Sequence, residues 1–328
     1  MSPAARRPAA AKTTTARRRA STLDDRQPAP LAATDGTDRL GVRKTYKLYI
    51  GGEFPRTESG RAYEVLDVRG RLLANACRGT RKDIRDAARA ARKAFPGWAA
   101  RTAYNRSQIL YRIAELMEGR REQFTGEVIA AEGVGRQRAT RLVNAAIDRW
   151  VWYAGWADKY GQILGTVNPV NGSYFNFSVP EPTGVVGLIA PESSSLLGLV
   201  SRLAPIIVSG NAAIVIASEA RPLPAVTLTE VLATSDVPGG VVNLITGLRR
   251  ELVQHLAGHM DVNGLDAFGL DPAQGAAIEE LAVENVKRLV RPPASGSDEV
   301  DWLSQRSQSP YLIGEFVETK TVWHPIGA

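Results

Sequence analysis

The fold is decided by residues 184–247, which read GVVGLIAPESSSLLGLVSRLAPIIVSGNAAIVIASEARPLPAVTLTEVLATSDVPGGVVNLITG. Apolar runs alternate there with segments of helical periodicity, and the alternation continues to residue 290. The apolar runs are 184–190, 212–217, 240–246, 264–269 and 286–290, and the helical segments lie near 196–208, 222–234, 249–258 and 273–285. Strand and helix at this spacing require right-handed crossovers. The sequence therefore predicts an α/β protein with a doubly wound, Rossmann-like parallel sheet covered by helices on both faces.

The residues before this stretch predict a layer of helices and two antiparallel pieces. Short strands are predicted around a Gly51-Gly52 turn, and helices by the apolar spacing over 84–95, 109–117 and 139–156. Residues 161–182 contain two strand-like runs around Asn171-Gly172, a pair typical of hairpin turns. We expect these residues to form an antiparallel arm.

Composition excludes several protein classes. The chain has 328 residues and one cysteine, so it cannot form an internal disulfide or a zinc site built on several cysteines. A single cysteine is typical of a reducing compartment, and we expect a cytoplasmic protein. The sequence has no apolar run of 18 residues or more, so no membrane span is expected.

The net charge of +7 is concentrated in the first 44 residues, which carry ten Lys and Arg against four Asp. Their Ala, Pro, Thr and Arg content predicts a disordered basic tail, and residues 45–328 are close to neutral. Three hypotheses stay open for the tail: a solvated segment, which we favour, a weak contact with nucleic acid or another acidic partner, and a transit peptide.

In a doubly wound sheet, ligands bind at the carboxyl ends of the strands. The first strand is followed by Ala190, Pro191, Glu192 and the serines 193–195, where a helix start offers free N–H groups to a phosphate. Ser218 and Glu219 follow the second strand, where an acidic side chain commonly binds a cofactor ribose. The sequence has no G-x-G-x-x-G, and serine caps and surface glutamates are common, so these residues alone predict a nucleotide site only weakly.

The run from Val179 to Gly247 resembles the cofactor-binding domain of the aldehyde dehydrogenase superfamily. YIGGEF, the block ARAARKAFPGWAARTAYNRSQILYRIAELME and YAGWADKYGQILG resemble the same family, and FVETKTVWHPIG resembles its C-terminal strand. The resemblance implies an NAD(P)-binding domain at 45–290, with N-terminal helices and an antiparallel oligomerisation arm near 161–181. It also implies an oligomerisation strand at 310–328, and a chemistry of cysteine attack followed by hydride transfer.

Several positions depart from the family pattern. Ser193 stands where the resemblance implies the oxyanion-binding Asn, Ile216 where it implies a cofactor lysine, and Asp271 where it implies a serine facing the pyrophosphate. The cofactor-binding candidates that remain are Ala190, Pro191, Ser218, Glu219, Gly247 and Gly275. A carboxylate repels phosphate, so we expect binding of NAD or NADP to be weak or lost.

A second departure is an absent segment. After Val290 the family continues into the domain with the catalytic cysteine, whereas residues 291–309 here have the Pro- and Ser-rich composition of a linker. The only thiol, Cys77, lies in a predicted strand far from that position, which indicates a buried structural cysteine. The chain therefore resembles a truncated, degenerate family member that lacks the catalytic-cysteine domain.

The histidines offer no convincing metal site. His255 and His259 are four residues apart on a predicted helix, but no third ligand is evident, and a solvated helix face is the better interpretation. We expect His324 to pack in the terminal strand.

Three hypotheses for function follow. We favour a non-catalytic subunit that assembles, as a homo- or hetero-oligomer, with an active aldehyde dehydrogenase paralogue, because the arm and the surface left by the absent domain would need a partner. The alternatives are an NAD(P)-dependent oxidoreductase that acts on an aldehyde by a rearranged mechanism, and an adaptor whose tail contacts an acidic surface.

Overall fold

The computed structural model describes residues 43–296 and 300–327. It begins with three short strands, β1 (Thr45–Tyr46), β2 (Ala62–Leu66) and β3 (Leu72–Cys77). β3 lies between the other two, antiparallel to β2, as the sequence predicts, but parallel to β1. The parallel pairing arises because the chain reverses at Gly51-Gly52 between β1 and β2. Both glycines have positive φ, 67° and 90°, as a tight hairpin turn requires.

Five helices follow: α1 (Arg81–Ala99), α2 (Ala103–Gly119), α3 (Arg121–Glu132), α4 (Arg136–Trp156) and α5 (Tyr160–Leu164). The three predicted helices are confirmed as α1, α2 and α4. The start of α1 is fixed by a capping box in which Thr80 and Asp83 bond reciprocally. Helix α3 is not predicted by the sequence, because it follows α2 after Arg120 alone and buries only a short stripe that includes Phe124 and Val128.

The chain then forms a hairpin, β4 (Thr166–Asn168) and β5 (Tyr174–Pro182), and enters the parallel sheet. The sheet contains β6 (Val185–Ile189), β7 (Ala212–Ile216), β8 (Val242–Ile245), β9 (Gly264–Asp266) and β10 (Arg288–Val290). The connecting helices are α6 (Leu197–Val208), α7 (Leu223–Leu232), α8 (Arg249–Ala257) and α9 (Pro272–Val283). All pairings are parallel and the strand order is β10-β9-β6-β7-β8, so the chain reverses its direction across the sheet between β6 and β9.

Alternate residues of the parallel strands pack on opposite faces. In β6, Val186 and Leu188 join a core with α2, α4, α6 and α7, whereas Val185 and Ile189 join a second core with α1, α8 and α9. Both faces are therefore buried, which explains why these strands are apolar throughout rather than alternating. The predicted doubly wound fold is confirmed.

Residues 300–309 pack against the body, although their composition predicted a linker. The Trp302 side chain is 7% exposed, stacks edge-on against Phe268 at 5.5 Å and lies over Gly198. Arg149, buried in α4, donates to the Trp302 carbonyl at 2.9 Å and to the Ser307 carbonyl at 2.6 Å. The contacts of Trp302 and Arg149 hold this segment against the body, and composition does not predict such contacts.

The chain ends with α10 (Tyr311–Gly314) and β11 (Val317–Pro325). β11 pairs antiparallel with β5 over nine residues, so β11, β5 and β4 form a three-stranded sheet, here called the arm sheet. One face carries Asn168 and Asn176, with Asn168 donating to Asn176 at 2.6 Å, and also the aromatic pair Tyr174 and Trp323. The opposite side, here called the apolar arm face, carries Val167, Phe175, Phe177, Val179 and Val322, with His324 and the Lys320–Glu181 ion pair beside them.

Residues 1–42 of the tail predicted over 1–44 lie outside the described residues. Its last two residues belong to the folded body: Arg43 donates to the Leu72 carbonyl at 2.9 Å and Lys44 pairs with Glu230 at 3.2 Å. Within the described ranges, none of the helices has both the length and the apolar character needed to cross a membrane.

Candidate functional site

The candidate site lies at the carboxyl edge of the parallel sheet, beside the reversal between β6 and β9. A crevice opens at such a reversal, because the helices on either side leave in opposite directions. The fold brings five of the predicted residues together here: Ala190, Pro191 and Ser193 after β6, and Ser218 and Glu219 after β7. Their grouping agrees with the sequence prediction, and their contacts determine what the crevice can accept.

Glu192 organises the loops after β6 and β7. One carboxylate oxygen accepts from the Glu219 amide at 2.8 Å, and the other accepts from the Ser218 hydroxyl at 2.5 Å. The same carboxylate pairs with the Arg249 guanidinium at 2.7 Å. The polar groups of this loop pair are thus engaged with Glu192.

Arg249 occupies the crevice itself. Its guanidinium donates to the Gly269 carbonyl after β9 at 2.9 Å and to the Ala190 carbonyl after β6. Together with the Glu192 ion pair, these bonds join both sides of the sheet reversal through one side chain that is 11% exposed. A cofactor entering the crevice would therefore have to displace this arginine.

Backbone N–H groups around the edge are bonded to carboxylates of the chain itself. The four carboxylates are Glu132 on the Ser195 amide (2.8 Å), Glu192 on the Glu219 amide (2.8 Å), Glu219 on the Arg249 amide (2.8 Å) and Asp271 on the Gln274 amide (2.7 Å). Amides at helix starts are the groups that bind phosphate in nucleotide sites. A phosphate at any of these positions would meet a like charge.

Two predicted cofactor residues serve packing in this structure. Gly247 has φ of +150°, and a Cβ there would lie 2.9 Å from the Gly79 amide nitrogen. A Cβ on Gly275 would lie 2.6 Å from the Pro292 ring. Both glycines are explained by close approach of other segments, and their assignment to a cofactor stays a prediction.

Ser193 lines a cavity of about 450 Å³ that residues 300–303 help to enclose. The other polar lining residues include Glu132, Arg138 and Asp301, and Trp302 forms part of the wall. The Ser193 carbonyl accepts from Arg221 at 3.3 Å. Part of the surface that the sequence analysis expected to lie exposed is thus covered by Trp302.

A second, apolar cavity of about 290 Å³ lies between α8 and α9 next to the crevice. Its walls are mainly aliphatic and include Val253, Leu270, Ile278 and Leu281, with Arg249 at one side. This slot suits an uncharged ring better than a charged group. The edge therefore combines an apolar slot with a cavity of about 530 Å³ lined by Glu192, Ser193, Glu219 and Arg221, beside the ion pair of Glu192 with Arg249.

Tyr63 of β2 lies against the same edge. Burial raises the pKa of its hydroxyl, and the carboxylates of Glu219 and Glu192 raise it further. The phenol therefore stays protonated and uncharged at neutral pH. It can donate a hydrogen bond but cannot act as a base.

A buried charge network lies directly beneath the crevice. Arg202 of α6 pairs with Asp266 at the end of β9 at 2.7 Å and with Glu315 at 2.6 Å. Burial alone lowers the pKa of Arg202, but the two carboxylates more than offset this effect and hold the pKa above its ordinary value. Burial raises the pKa of Glu315. The network joins the sheet to the segment that leads into β11.

The remaining sequence candidates lie apart from the crevice. Cys77 is 3% exposed at the end of β3, in the second core. His255 and His259 lie half-buried on and just after α8, and His324 is exposed in β11. Over residues 43–296 and 300–327, no group of three or more metal-ligating side chains could hold a metal ion.

Three residues that shape the site are not predicted by the sequence: Glu132, Arg249 and Trp302. Glu132 binds the Ser195 amide 63 residues further along the chain, and Arg249 binds the Ala190 carbonyl 59 residues before it. Neither residue belongs to a local motif. Only the helix-start position of Arg249, directly after Gly247-Leu248, placed it at this edge.

Comparison with known proteins agrees with the geometry. The model of the aldehyde dehydrogenase family matches residues 56–291. The chain belongs to the aldehyde dehydrogenase family. It is 33% identical over 243 residues to aldehyde dehydrogenase family 2 member B4, mitochondrial, of Arabidopsis thaliana, a match covering 73% of this chain and 44% of that protein. It is 30% identical over 256 residues to cytosolic 10-formyltetrahydrofolate dehydrogenase of Pongo abelii, covering 76% of this chain and 28% of that protein.

Solved aldehyde dehydrogenases share the fold. The NAD+ complex of aldehyde dehydrogenase from Bacillus cereus superposes with a TM-score of 0.70 at 27% identity, over 75% of this chain and 50% of that one. HpcC from Thermus thermophilus superposes with a TM-score of 0.71 at 30% identity, over 75% and 47%. The chain therefore spans half or less of the length of these aldehyde dehydrogenase relatives.

Proposed function

We propose that this chain is a cytoplasmic, non-catalytic member of the aldehyde dehydrogenase family that binds NAD(P) weakly or not at all and assembles with a catalytic relative. The observation that carries the proposal is the set of four carboxylates on the backbone amides of the crevice, together with Arg249 across the sheet reversal. Each of these groups would have to move for a pyrophosphate to bind.

The energy involved is sufficient to weaken binding. Two unit charges 4 Å apart repel by about 1 kcal/mol in water and by about 4 kcal/mol near a protein surface. Since about 1.4 kcal/mol changes a binding constant tenfold, one uncompensated carboxylate beside a phosphate lowers affinity by roughly tenfold or more. Displacing Arg249 would also leave Glu192 without its cation.

The residues considered for catalytic roles also support the proposal. The only thiol, Cys77, belongs to the apolar core at the end of β3, and a buried thiol in apolar surroundings is a poor nucleophile. Ser193 stands where the family resemblance implies an oxyanion-binding Asn, and its hydroxyl reaches less far than an amide. These residues support a non-catalytic role.

Cofactor binding is tested by calorimetric titration of the full chain with NAD+ and NADP+. We expect no saturation up to about 1 mM, and roughly tenfold tighter binding in Asp271→Ser, which keeps a helix-capping side chain but removes the charge. Glu280→Gln, which removes an exposed carboxylate of the same helix, is the control. Micromolar binding by the unaltered chain, with turnover of an aldehyde, would overturn the proposal.

Assembly is supported by the apolar arm face, on which Val167 is 69% exposed and Phe175 is 44% exposed. Exposed apolar side chains grouped on one face favour association. Co-expression with a full-length aldehyde dehydrogenase from the same organism, followed by size-exclusion chromatography with light scattering, tests this point. We expect co-elution at micromolar concentration, and separate elution of the two chains would refute the assembly.

A further inference from the structure

A cavity unrelated to the crevice lies between α1 and the C-terminal half of α8. Its volume is about 360 Å³, and its polar lining comes from Arg81, Arg85, Gln254, His255 and His259. Its nearest lining residue on α8, Gln254, is five residues from Arg249, about 7.5 Å along the helix axis, and Arg249 itself does not line the cavity. It is therefore a separate site, outside the proposed nucleotide crevice.

The cavity is cationic. Arg81 and Arg85 are four residues apart on α1, and His255 and His259 are four apart on the facing helix and its C-terminal end, so each pair lies on one side of the cavity. None of the described residues that line it carries a carboxylate. Asp86 binds the Arg85 guanidinium at 3.0 Å, whereas Arg81 is exposed.

The same electrostatics argue against a metal ion. Burial lowers the pKa of His255, and the charge of Arg81 lowers it further. Burial also lowers the pKa of His259, where Lys287, Arg89 and Arg92 together act against Asp261. Groups that make a protonated imidazole unfavourable also repel a metal cation. An anion between the two helices would relieve this repulsion.

We propose that this cavity binds a tetrahedral oxyanion, the phosphate group of a small molecule, between the guanidinium groups of Arg81 and Arg85 and the imidazoles of His255 and His259. Guanidinium groups present paired N–H donors that match phosphate oxygens. Each imidazole donates one N–H when neutral and two when protonated.

Anion binding here takes up protons. Burial favours the neutral imidazoles in the free protein, and the mainly positive surrounding charges favour them further. These charges are Arg81, Arg85, Arg89 and Arg92 on α1 and Lys287 before β10, against Asp86 and Asp261. A bound dianion favours the protonated imidazoles and raises their pKa. By linkage, the anion then binds more tightly as pH falls from 8 to 6.

Sulfate is the appropriate probe, because it stays a dianion throughout this range. The chain has three histidines, so NMR of the full, histidine-labelled protein resolves each imidazole, and His324 in the arm sheet is an internal control. We expect saturating sulfate to raise the pKa of His255 and His259 by about 0.5 or more while leaving that of His324 unchanged. Equal shifts at all three histidines would overturn the proposal.

Variants separate the site from general charge effects. Arg81→Gln with Arg85→Gln should weaken sulfate binding about tenfold, whereas Lys93→Gln with Arg141→Gln removes two exposed charges elsewhere and should not. His255→Gln with His259→Gln should bind sulfate equally at pH 6 and pH 8. Unchanged binding by the arginine variant, or Zn2+ binding by the histidine pair at micromolar concentration, would refute the proposal. Inorganic phosphate and glycerol 3-phosphate then distinguish a free oxyanion from a phosphate monoester.

Discussion

The carboxyl edge of the parallel sheet and the arm sheet differ in how their interacting groups are used. At the edge, Glu192, Glu219 and Arg249 bond to one another and to the backbone. In the arm sheet, Asn168 donates to Asn176 on one face, while Val167 and Phe175 lie exposed on the apolar arm face. The comparison teaches that the arm offers exposed apolar side chains, whereas these charged groups at the edge are bonded within the chain.

The largest effect is expected from breaking the charge network beneath the crevice. Asp266→Ala removes one of the two carboxylates that pair with Arg202, whose side chain is 3% exposed, and leaves this buried guanidinium with Glu315 alone. We expect the free energy of unfolding to fall by about 3–5 kcal/mol in urea titrations. Replacing both residues, Arg202→Met with Asp266→Leu, should restore most of the loss. An unchanged midpoint in the single variant would show that the network is dispensable.

A direct comparison of two tryptophans comes next. Trp302→Ala removes a ring packed on Phe268 and Gly198, and should cost about 3 kcal/mol. Trp323→Ala in the arm sheet removes a ring that is 59% exposed, and should cost less than about 1 kcal/mol. Chemical unfolding of both variants measures the difference. Equal losses would mean that Trp302 is not part of the core.

Glu127 sharpens the comparison, because burial has the largest effect on this carboxylate, whereas Glu192 pairs with Arg249. Burial raises its pKa to about 7, with a contribution from Glu230, against hydrogen bonds from Thr227 and Gln123. The folded state therefore holds a proton that the unfolded chain releases, so stability falls as pH rises from 4.5 to beyond 7. Glu127→Gln should be more stable than the natural chain by about 2 kcal/mol at pH 8 and equal to it at pH 4.5.

Urea titrations at both pH values check this expectation. Glu64→Gln, an exposed carboxylate on β2, is the matched control and should leave the pH dependence as it is. A parallel pH profile for the natural chain and Glu127→Gln would contradict the assigned pKa.

The smallest effect on stability is expected at the apolar arm face. Phe175→Lys replaces a ring that is 44% exposed and should change the free energy of unfolding by less than about 0.5 kcal/mol. The same substitution should dissociate the proposed assembly in light scattering. Tyr104→Lys, which replaces a ring that is 70% exposed on α2, should leave the assembly intact. Dissociation by both variants, or by neither, would mean that this face is not the interface.

Much of the fold could be predicted because its signals are local. The apolar runs at 184–190 and 212–217 coincide with β6 and β7 to within one or two residues. Helix α6, between these strands, coincides with the helical segment predicted near 196–208. The short helix α3 was missed because it buries few residues. The linker prediction failed for residues 300–309, since the contacts of Trp302 with Arg149 and Phe268 leave no trace in composition.

For the candidate site, the sequence by itself determined where the site lies and which of its residues differ from the family pattern. Because residues that follow parallel strands lie at the same edge of a sheet, the sequence places Ala190, Pro191 and Glu219 together. Ser193 and Asp271 depart from the family pattern. Only the tertiary structure decided which groups fill that edge. Glu132 and Arg249 arrive from segments about 60 residues away, and long-range contacts of this kind depend on how helices pack on a sheet. Periodicity specifies the elements, whereas packing specifies which charges meet.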